Sequence, residues 1–321
     1  MRLDPIAPGP SSLGARGWLA LWTVYLVWGS TYLGIALAIE TIPALLGAGL
    51  RFLAAGVVML AFVALRHGAS TFRLSRTTLL ATAAIGLMLT GSNALVFVAE
   101  ERVPSGLAAL VVSSVPLWVV LIRLTGRERP TRAALAGIAL GFAGVALLVL
   151  PGAGNGAVSP LGVAILLVAS ANWALASYLS PRLPLPADAM TSTGIGMLAG
   201  GLVLLPLGAA LAPSGSLDPG GYSARSLAGL VYLIVAGSVI ALTAYVWLLA
   251  HAPLGTVSTY AYVNPIVAIA LGALVLDERI TVPIVAGALL VVAGVAAVVR
   301  TESRAAPTGR TDSPAGRRSR R

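Results

Sequence analysis

Residues 94–121 read ALVFVAEERVPSGLAALVVSSVPLWVVL, and residues 244–271 read AYVWLLAHAPLGTVSTYAYVNPIVAIAL. Pro104, Gly106 and Pro116 of the first stretch fall on Pro253, Gly255 and Pro265 of the second at an offset of 149. After one extra residue in the second copy the offset becomes 150. Glu128-Arg129 then falls on Glu278-Arg279, Gly137 on Gly287, and Ala143-Gly144-Val145-Ala146 on Ala293-Gly294-Val295-Ala296. Chance similarity between apolar segments would not hold Pro, Gly and Glu-Arg in register. The chain carries an internal repeat, matched more weakly earlier on, where Trp28 falls near Trp173 at an offset of about 145.

The repeat is built of membrane-like sequence. Of 321 residues, 58% are hydrophobic and only 10% are charged, with a mean hydropathy of +0.93. Soluble domains carry about 25% charged residues. Continuous apolar runs of about 20 residues, long enough to cross the hydrocarbon layer, recur along most of the chain. A β-barrel would show short alternating strands instead. Turn and charge signals divide the sequence into ten spans, near 17–38, 42–65, 76–98, 103–123, 131–149, 160–180, 188–211, 226–249, 253–275 and 281–299. Arg2, Arg16 and Ala36-Leu37-Ala38 superficially suggest a cleaved leader. The stretch from Trp18 to Ile39 is longer than a leader's apolar core, and it reads as an uncleaved first span.

Net charge is +10, and every basic residue except the two histidines is arginine. Seventeen of the 21 arginines fall on one side, in the N-terminal tail, the even-numbered connections and the C-terminal tail. Three, Arg102, Arg225 and Arg279, fall on the other, and Arg51 alone lies inside a span. The positive-inside rule then makes both termini cytoplasmic in a multi-pass protein of the cytoplasmic (inner) membrane. That bias explains the basic balance without a nucleic-acid partner. Zero cysteines exclude disulfides, thiolate metal sites and cysteine nucleophiles.

Five spans per half is an odd number, so the second copy enters the bilayer from the opposite face. The expectation is an all-α polytopic membrane protein with ten transmembrane helices in a five-plus-five inverted-topology repeat. A first five-helix unit at 17–149 and a second at 160–299 lie between a tail at 1–16 and a basic, disordered tail at 300–321. Inverted repeats are characteristic of secondary transporters, because two related halves facing opposite ways can exchange conformations and open one central site to each side in turn.

Several motifs carry a resemblance. They are Trp28-Gly29-Ser30-Thr31-Tyr32 in the first span, Pro43 followed by Leu50-Arg51-Phe52-Leu53 in the second, and Pro116 and Pro265 in spans 4 and 9. They also include the Glu-Arg boundaries before spans 5 and 10 and the Gly-Val that follows each. The sequence resembles an EamA-type member of the drug/metabolite transporter superfamily over about residues 17–300. One departure is Asp277, where the family usually has Gly before the Glu. The resemblance implies a ten-helix carrier, often an exporter of amino acids, metabolites or amphipathic toxins. It also implies that spans 1–4 and 6–9 surround a central cavity while spans 5 and 10 stand aside. No cofactor is implied; the partners are a small-molecule solute and the bilayer.

Candidate site residues follow from composition and depth. Trp28 and Tyr32 lie on an aromatic helix face, too deep for an interfacial belt, and are read as cavity lining. Gly29, Ser30 and Gly34 permit close helix contact, and Gly29 is also a candidate bending point. Arg51 sits about 13 Å from the outer end of span 2 at 1.5 Å per residue, where a charge is costly. It is either an anchor for a solute carboxylate or a structural arginine bonded to helix-end carbonyls, Glu40 or Glu100. Pro116 and Pro265 free carbonyls near Val112 and Ala261, and Ser114, Tyr260 and Asn264 surround these hinge candidates. Asn93, Asn172 and Trp173 add groups at similar depth.

Glu128 and Glu278, which precede the helix-capping candidates Thr131 and Thr281, read as local structure. Gly137-x-x-x-Gly141 is a packing motif that admits a homodimer, though an internal contact suffices. Every Asp and Glu of the spans lies near a span end, so coupling to protons and simple exchange both stay open. An intramembrane enzyme lacks its marks here. There is no G-x-S-x-G, no H-E-x-x-H, no P-loop and no mid-span carboxylate pair, and His67 and His251 sit at span ends. No catalytic or metal-ligating residue is expected. A non-transporting scaffold or receptor is the alternative reading.

Overall fold

The computed structural model describes residues 14–125, 130–149, 158–252 and 254–305. The rest of both tails and the Glu128-Arg129 pair lie outside the described residues. Within them the chain is helical, with no strand: α1 (Ala15–Ala38), α2 (Ala44–His67), α3 (Arg76–Glu100), α4 (Ser105–Val112), α5 (Val115–Thr125), α6 (Arg132–Val149) and α7 (Pro160–Leu179) form the first part. They are followed by α8 (Ala189–Leu211), α9 (Ala224–Tyr232), a π-helical segment (Leu233–Ile240), α10 (Ala241–His251), α11 (Leu254–Val257), α12 (Tyr260–Val275) and α13 (Val282–Ala305). The protein is a polytopic helical membrane protein. Eight helical stretches among the described residues are long and apolar enough to cross a bilayer. Arg132–Leu148 and Tyr260–Val275 are apolar but shorter, and they correspond to the fifth and ninth spans read from sequence.

Local chemistry explains where these helices start. Ser75 accepts the Thr78 N–H at 3.1 Å, Thr131 the Ala134 N–H at 3.1 Å, and Ser223 the Ser226 N–H at 3.0 Å. Each satisfies a donor that the first helical turn leaves orphaned. Ser159 does the same for Gly162 at 3.3 Å, and Pro160 then occupies the first turn, where its missing N–H costs nothing. Gly68 ends α2 with φ +78°, a conformation that side chains disfavour. The fourth span is broken at Ser113-Ser114, just ahead of Pro116. Pro116 has no N–H to offer the Val112 carbonyl, so the helix restarts as α5. Pro265 is carried inside α12, and the break there falls earlier, at Ser258-Thr259.

Two antiparallel pairs organise the bundle through small residues. Along α2 and α8, Leu46 meets Gly208, Gly49 meets Leu205, Leu53 meets Gly201 and Gly56 meets Leu198. Numbers rise on one helix as they fall on the other. Without a hydrophobic drive between helices in lipid, such close approach is what dispersion and packing need. In α6 and α13, Gly137 lies against the Gly294 carbonyl and Gly144 against the Gly287 carbonyl, with Cβ positions 2.8 Å away in both cases. Gly137 and Gly287 are repeat equivalents, as are Gly144 and Gly294. The two contacts are therefore each other's counterparts, as in a self-complementary two-fold contact. Gly137 and Gly141 are thus used within the chain, against Gly294 and Leu117.

Candidate functional site

A cavity of about 1130 Å³ occupies the middle of the bundle. Its walls come from α1–α5, α7, α8, the π segment, α10 and α12. From α13 only Val298 and Val299 take part, and α6 gives nothing. It reaches one end of the bundle at Thr82, Ser180, Ser192, Leu249 and Ser258. That is the end at which α3 and α8 begin and α7 and α10 finish. At the other end α1 and α9 close together. Ser226 Oγ donates to the Leu37 carbonyl at 2.9 Å, the Ser223 N–H donates to Thr41 Oγ1 at 3.0 Å, and Arg225 pairs with Glu40 at 3.2 Å. Ile35, Ala38, Ile42, Leu230 and Leu233 are buried around that seam.

Three aromatic rings form one wall. Trp28 lies 4.9 Å from Tyr245 and 5.2 Å from Tyr260 between ring centroids, and Tyr245 and Tyr260 are 5.8 Å apart. Two of the three contacts are edge-on, the geometry that aromatic quadrupoles favour. The indole N–H of Trp28 donates to the Gly237 carbonyl at 3.3 Å, inside the π segment. Such segments interrupt the regular ladder and frequently mark functional sites. The same segment supplies Ser238, whose hydroxyl accepts from Arg51 Nε at 3.0 Å.

Arg51 is only 5% exposed, yet it belongs to the cavity wall. Its guanidinium carbon stands 5.0 Å from the Phe52 ring centroid, and Nη1 has no hydrogen-bond partner. No carboxylate among the described residues lies within ion-pair distance. Glu40, one partner considered from sequence, is engaged by Arg225 instead. Glu100, the last residue of α3, is 9% exposed, and neither carboxylate oxygen has a partner. Arg51, Tyr32 and Glu278 all act on it electrostatically.

Seven of the nine residues read from sequence as cavity lining are in the wall: Trp28, Tyr32, Arg51, Asn93, Trp173, Tyr260 and Asn264. Two are not. Ser114 is completely buried away from the cavity, and the wall residue beside it is Ser113. Asn172 faces α3, donating to the Met88 carbonyl at 2.7 Å and to Ser92 Oγ at 2.9 Å, so it fastens α7 rather than facing the cavity. Ser114 sits in the break between α4 and α5, and Asn172 on the side of α7 that packs against α3. Asn264 lies beside the carbonyls of Tyr25 and Tyr260, and exchanging its amide oxygen and nitrogen lets the nitrogen donate to both, at 3.3 and 3.2 Å, which links α1 to α12 at the cavity edge. Pro116 and Pro265 border the cavity. Gly29 does not bend α1, which runs unbroken; its missing side chain admits Val267 of α12. Ser30 and Gly34 also pack, against Tyr232 and Leu233. Sequence reasoning did not single out Tyr245 or Ser238. Their signal is the spacing of Ser238, Leu242, Tyr245 and Leu249, all wall residues, at intervals of four, three and four.

Comparison with known proteins adds the family dimension. The profile described as the EamA-like transporter family matches this chain twice, over residues 15–150 and 160–300. The uncharacterized inner membrane transporter YedA of Escherichia coli K12 is 38% identical over 260 residues, covering 79% of this chain and 80% of the relative. Protein PecM of Dickeya dadantii is 30% identical over 262 residues, covering 79% and 82%. A probable amino-acid metabolite efflux pump of Salmonella typhimurium is 28% identical over 293 residues, covering 87% and 92%. One solved crystal structure shares the fold with a TM-score of 0.61 at 22% identity, over 90% of this chain and 98% of that one.

Proposed function

The chain belongs to the EamA-like transporter family and is a multi-pass transporter of the inner membrane, and from that premise we propose that it exports small organic solutes by alternating access of its central cavity. The observation that carries this reading is the cavity itself, about 1130 Å³ with walls from both repeats and reaching one end of the bundle only. A volume of that size holds an amino acid, a metabolite or an amphipathic drug. The outward direction is supported by the relatives named as efflux pumps.

The two halves are ten spans in a five-plus-five inverted repeat. The double family match, the reciprocal glycine contacts of α6 and α13, and the register of Pro, Gly and Glu-Arg support it. The arginine bias places both termini in the cytoplasm. The cavity then faces the cytoplasm, and the seam of Ser226, Arg225 and Glu40 with α1 is the closed outer gate. Loading from inside is the state an exporter presents first.

The test is direct. Reporter tags at residue 1 and in the connection between α6 and α7 report opposite compartments if the halves are inverted; the same compartment sinks the reading. Proteoliposomes are then assayed for counterflow of the solutes that accumulate outside an overexpressing strain. Absence of flux for all of them, with folded protein, removes the export assignment.

A further inference from the structure

We propose that Glu100 is a proton-binding site, linked to the cavity through the charge of Arg51. Two buried ionisable groups, the acid Glu100 and the base Arg51 of the cavity wall, stand without bonding to each other. Arg51, a wall residue, keeps one bond, from Nε to Ser238, and its buried Nη1 has no partner. Glu100 keeps none on either oxygen. An ionised carboxylate shut away from water with no donor costs several kcal/mol or more. The neutral acid removes most of that cost.

The surroundings of Glu100 point the same way. The titratable and charged groups that act on it electrostatically are Tyr32 of α1, Arg51 of α2 and Glu278 of the turn before α13. Glu278 already supplies the negative charge at the start of α4, where it accepts the N–H of Ser105 at 2.7 Å and of Gly106 at 3.1 Å. Ionising Glu100 would put a second carboxylate beside it. Arg51 alone favours the ionised form, and in this conformation it is not bonded to it.

Two charge states follow. With the proton on Glu100, the charge of Arg51, a residue of the cavity wall, is unbalanced. When the proton leaves to water, Glu100 balances Arg51 from within the protein. If the transport reading above holds, an anionic group of the solute, such as a carboxylate, is taken up by Arg51 together with the proton. Proton binding itself does not rest on that reading, so the two can fail separately.

The experiment uses the full chain in lipid nanodiscs and needs no solute. Infrared spectra are recorded across a pH titration, following the C=O stretch of protonated carboxyl groups. The expected result is a band at neutral pH that Glu100→Gln abolishes and Glu100→Asp restores at a shifted frequency. In Arg51→Gln the band should persist at least about one pH unit further into alkali, because an opposing charge no longer favours ionisation. Arg51→Lys, which keeps the charge, should leave the titration near that of the parent protein. A neutral-pH spectrum unchanged by Glu100→Gln overturns the proton site. A titration indifferent to Arg51→Gln overturns the link to the cavity. Should Arg51→Gln fail to fold, the Glu100 variants still decide the site, and an Arg51→Lys titration displaced into alkali overturns the link.

Discussion

Glu278 closes a contact with Ser105 across 173 residues of sequence, accepting its backbone N–H at 2.7 Å and its hydroxyl at 2.9 Å. The other oxygen accepts the Gly106 N–H at 3.1 Å. A carboxylate thus caps the start of α4 from the far half of the chain, where orphan donors and the helix dipole favour a negative charge. Gly272 leaves the space: a Cβ there would run into the Glu278 carboxylate. Glu278→Ala should destabilise the protein by about 2 kcal/mol, the usual worth of hydrogen bonds to a charged group. Gly272→Ala should act in the same direction by displacing the carboxylate. Thermal aggregation midpoints in detergent check both. An unchanged midpoint for Glu278→Ala would mean that water replaces the cap without loss.

That cap also shows what the sequence could and could not disclose. Apolar run lengths gave the span positions to within a few residues, because hydrocarbon thickness fixes helix length. The Pro and Gly register reads as a repeat, and the family profile matches the chain twice. Depth alone was enough to bring Trp28, Tyr32, Arg51 and Tyr260 to the wall. Depth does not give rotation about a helix axis. Ser114 and Asn172 were therefore misjudged, and Tyr245 was passed over. Nor does local reading reveal partners far along the chain. Glu278 looked like part of its own turn, and Glu100, considered as a partner of Arg51, is buried without bonding to it.

Helix packing predicts a sharp contrast within α3. A methyl on Gly86 would strike the backbone of Gly196 on α8, and backbone cannot step aside as a rotamer can. Gly86→Ala should cost about 1–3 kcal/mol as overpacking. At Gly91, five residues on in the same helix, an added methyl would meet nothing within 4 Å. Gly91→Ala should be neutral or gain up to about 1 kcal/mol from lower backbone entropy. Midpoints of the two single variants, measured side by side, should fall on opposite sides of the parent value or nearly so. Equal losses would sink the close-crossing account.

Asp188, just ahead of α8, predicts a pH effect. Desolvation pushes its carboxyl upward, but the Thr191 hydroxyl, the Thr191 and Met190 N–H groups and His67 together hold it below the ordinary value. The Thr191 N–H bond is 2.8 Å. A lowered folded-state pKa means that the stabilisation is complete above the unfolded value of about 3.9 and fades as pH falls through the folded one. Asp188→Ala should lose about 1 kcal/mol at neutral pH, as for other N-caps. The difference between parent and variant should shrink on acidification below about pH 4. A gap that stays constant into strong acid would show that the carboxylate charge plays no part.

The cavity wall can be mapped chemically, because the natural chain has no cysteine. Single replacements at Asn93, Tyr245 and Tyr260 place a thiol at the wall, whereas Ser114 and Asn172 place one behind it. Asn93→Cys and Tyr245→Cys should react with a membrane-impermeant maleimide in inside-out vesicles. They should react far less in right-side-out vesicles, if the open end is cytoplasmic. Ser114→Cys should stay unlabelled from either side. Asn172→Cys is the harder test, since losing the bonds to Met88 and Ser92 loosens α7; its folding is checked by size exclusion before labelling is scored. Labelling of Ser114→Cys equal to that of Tyr245→Cys would mean that water reaches behind the wall. The cavity boundary drawn between Ser113 and Ser114 would then be wrong.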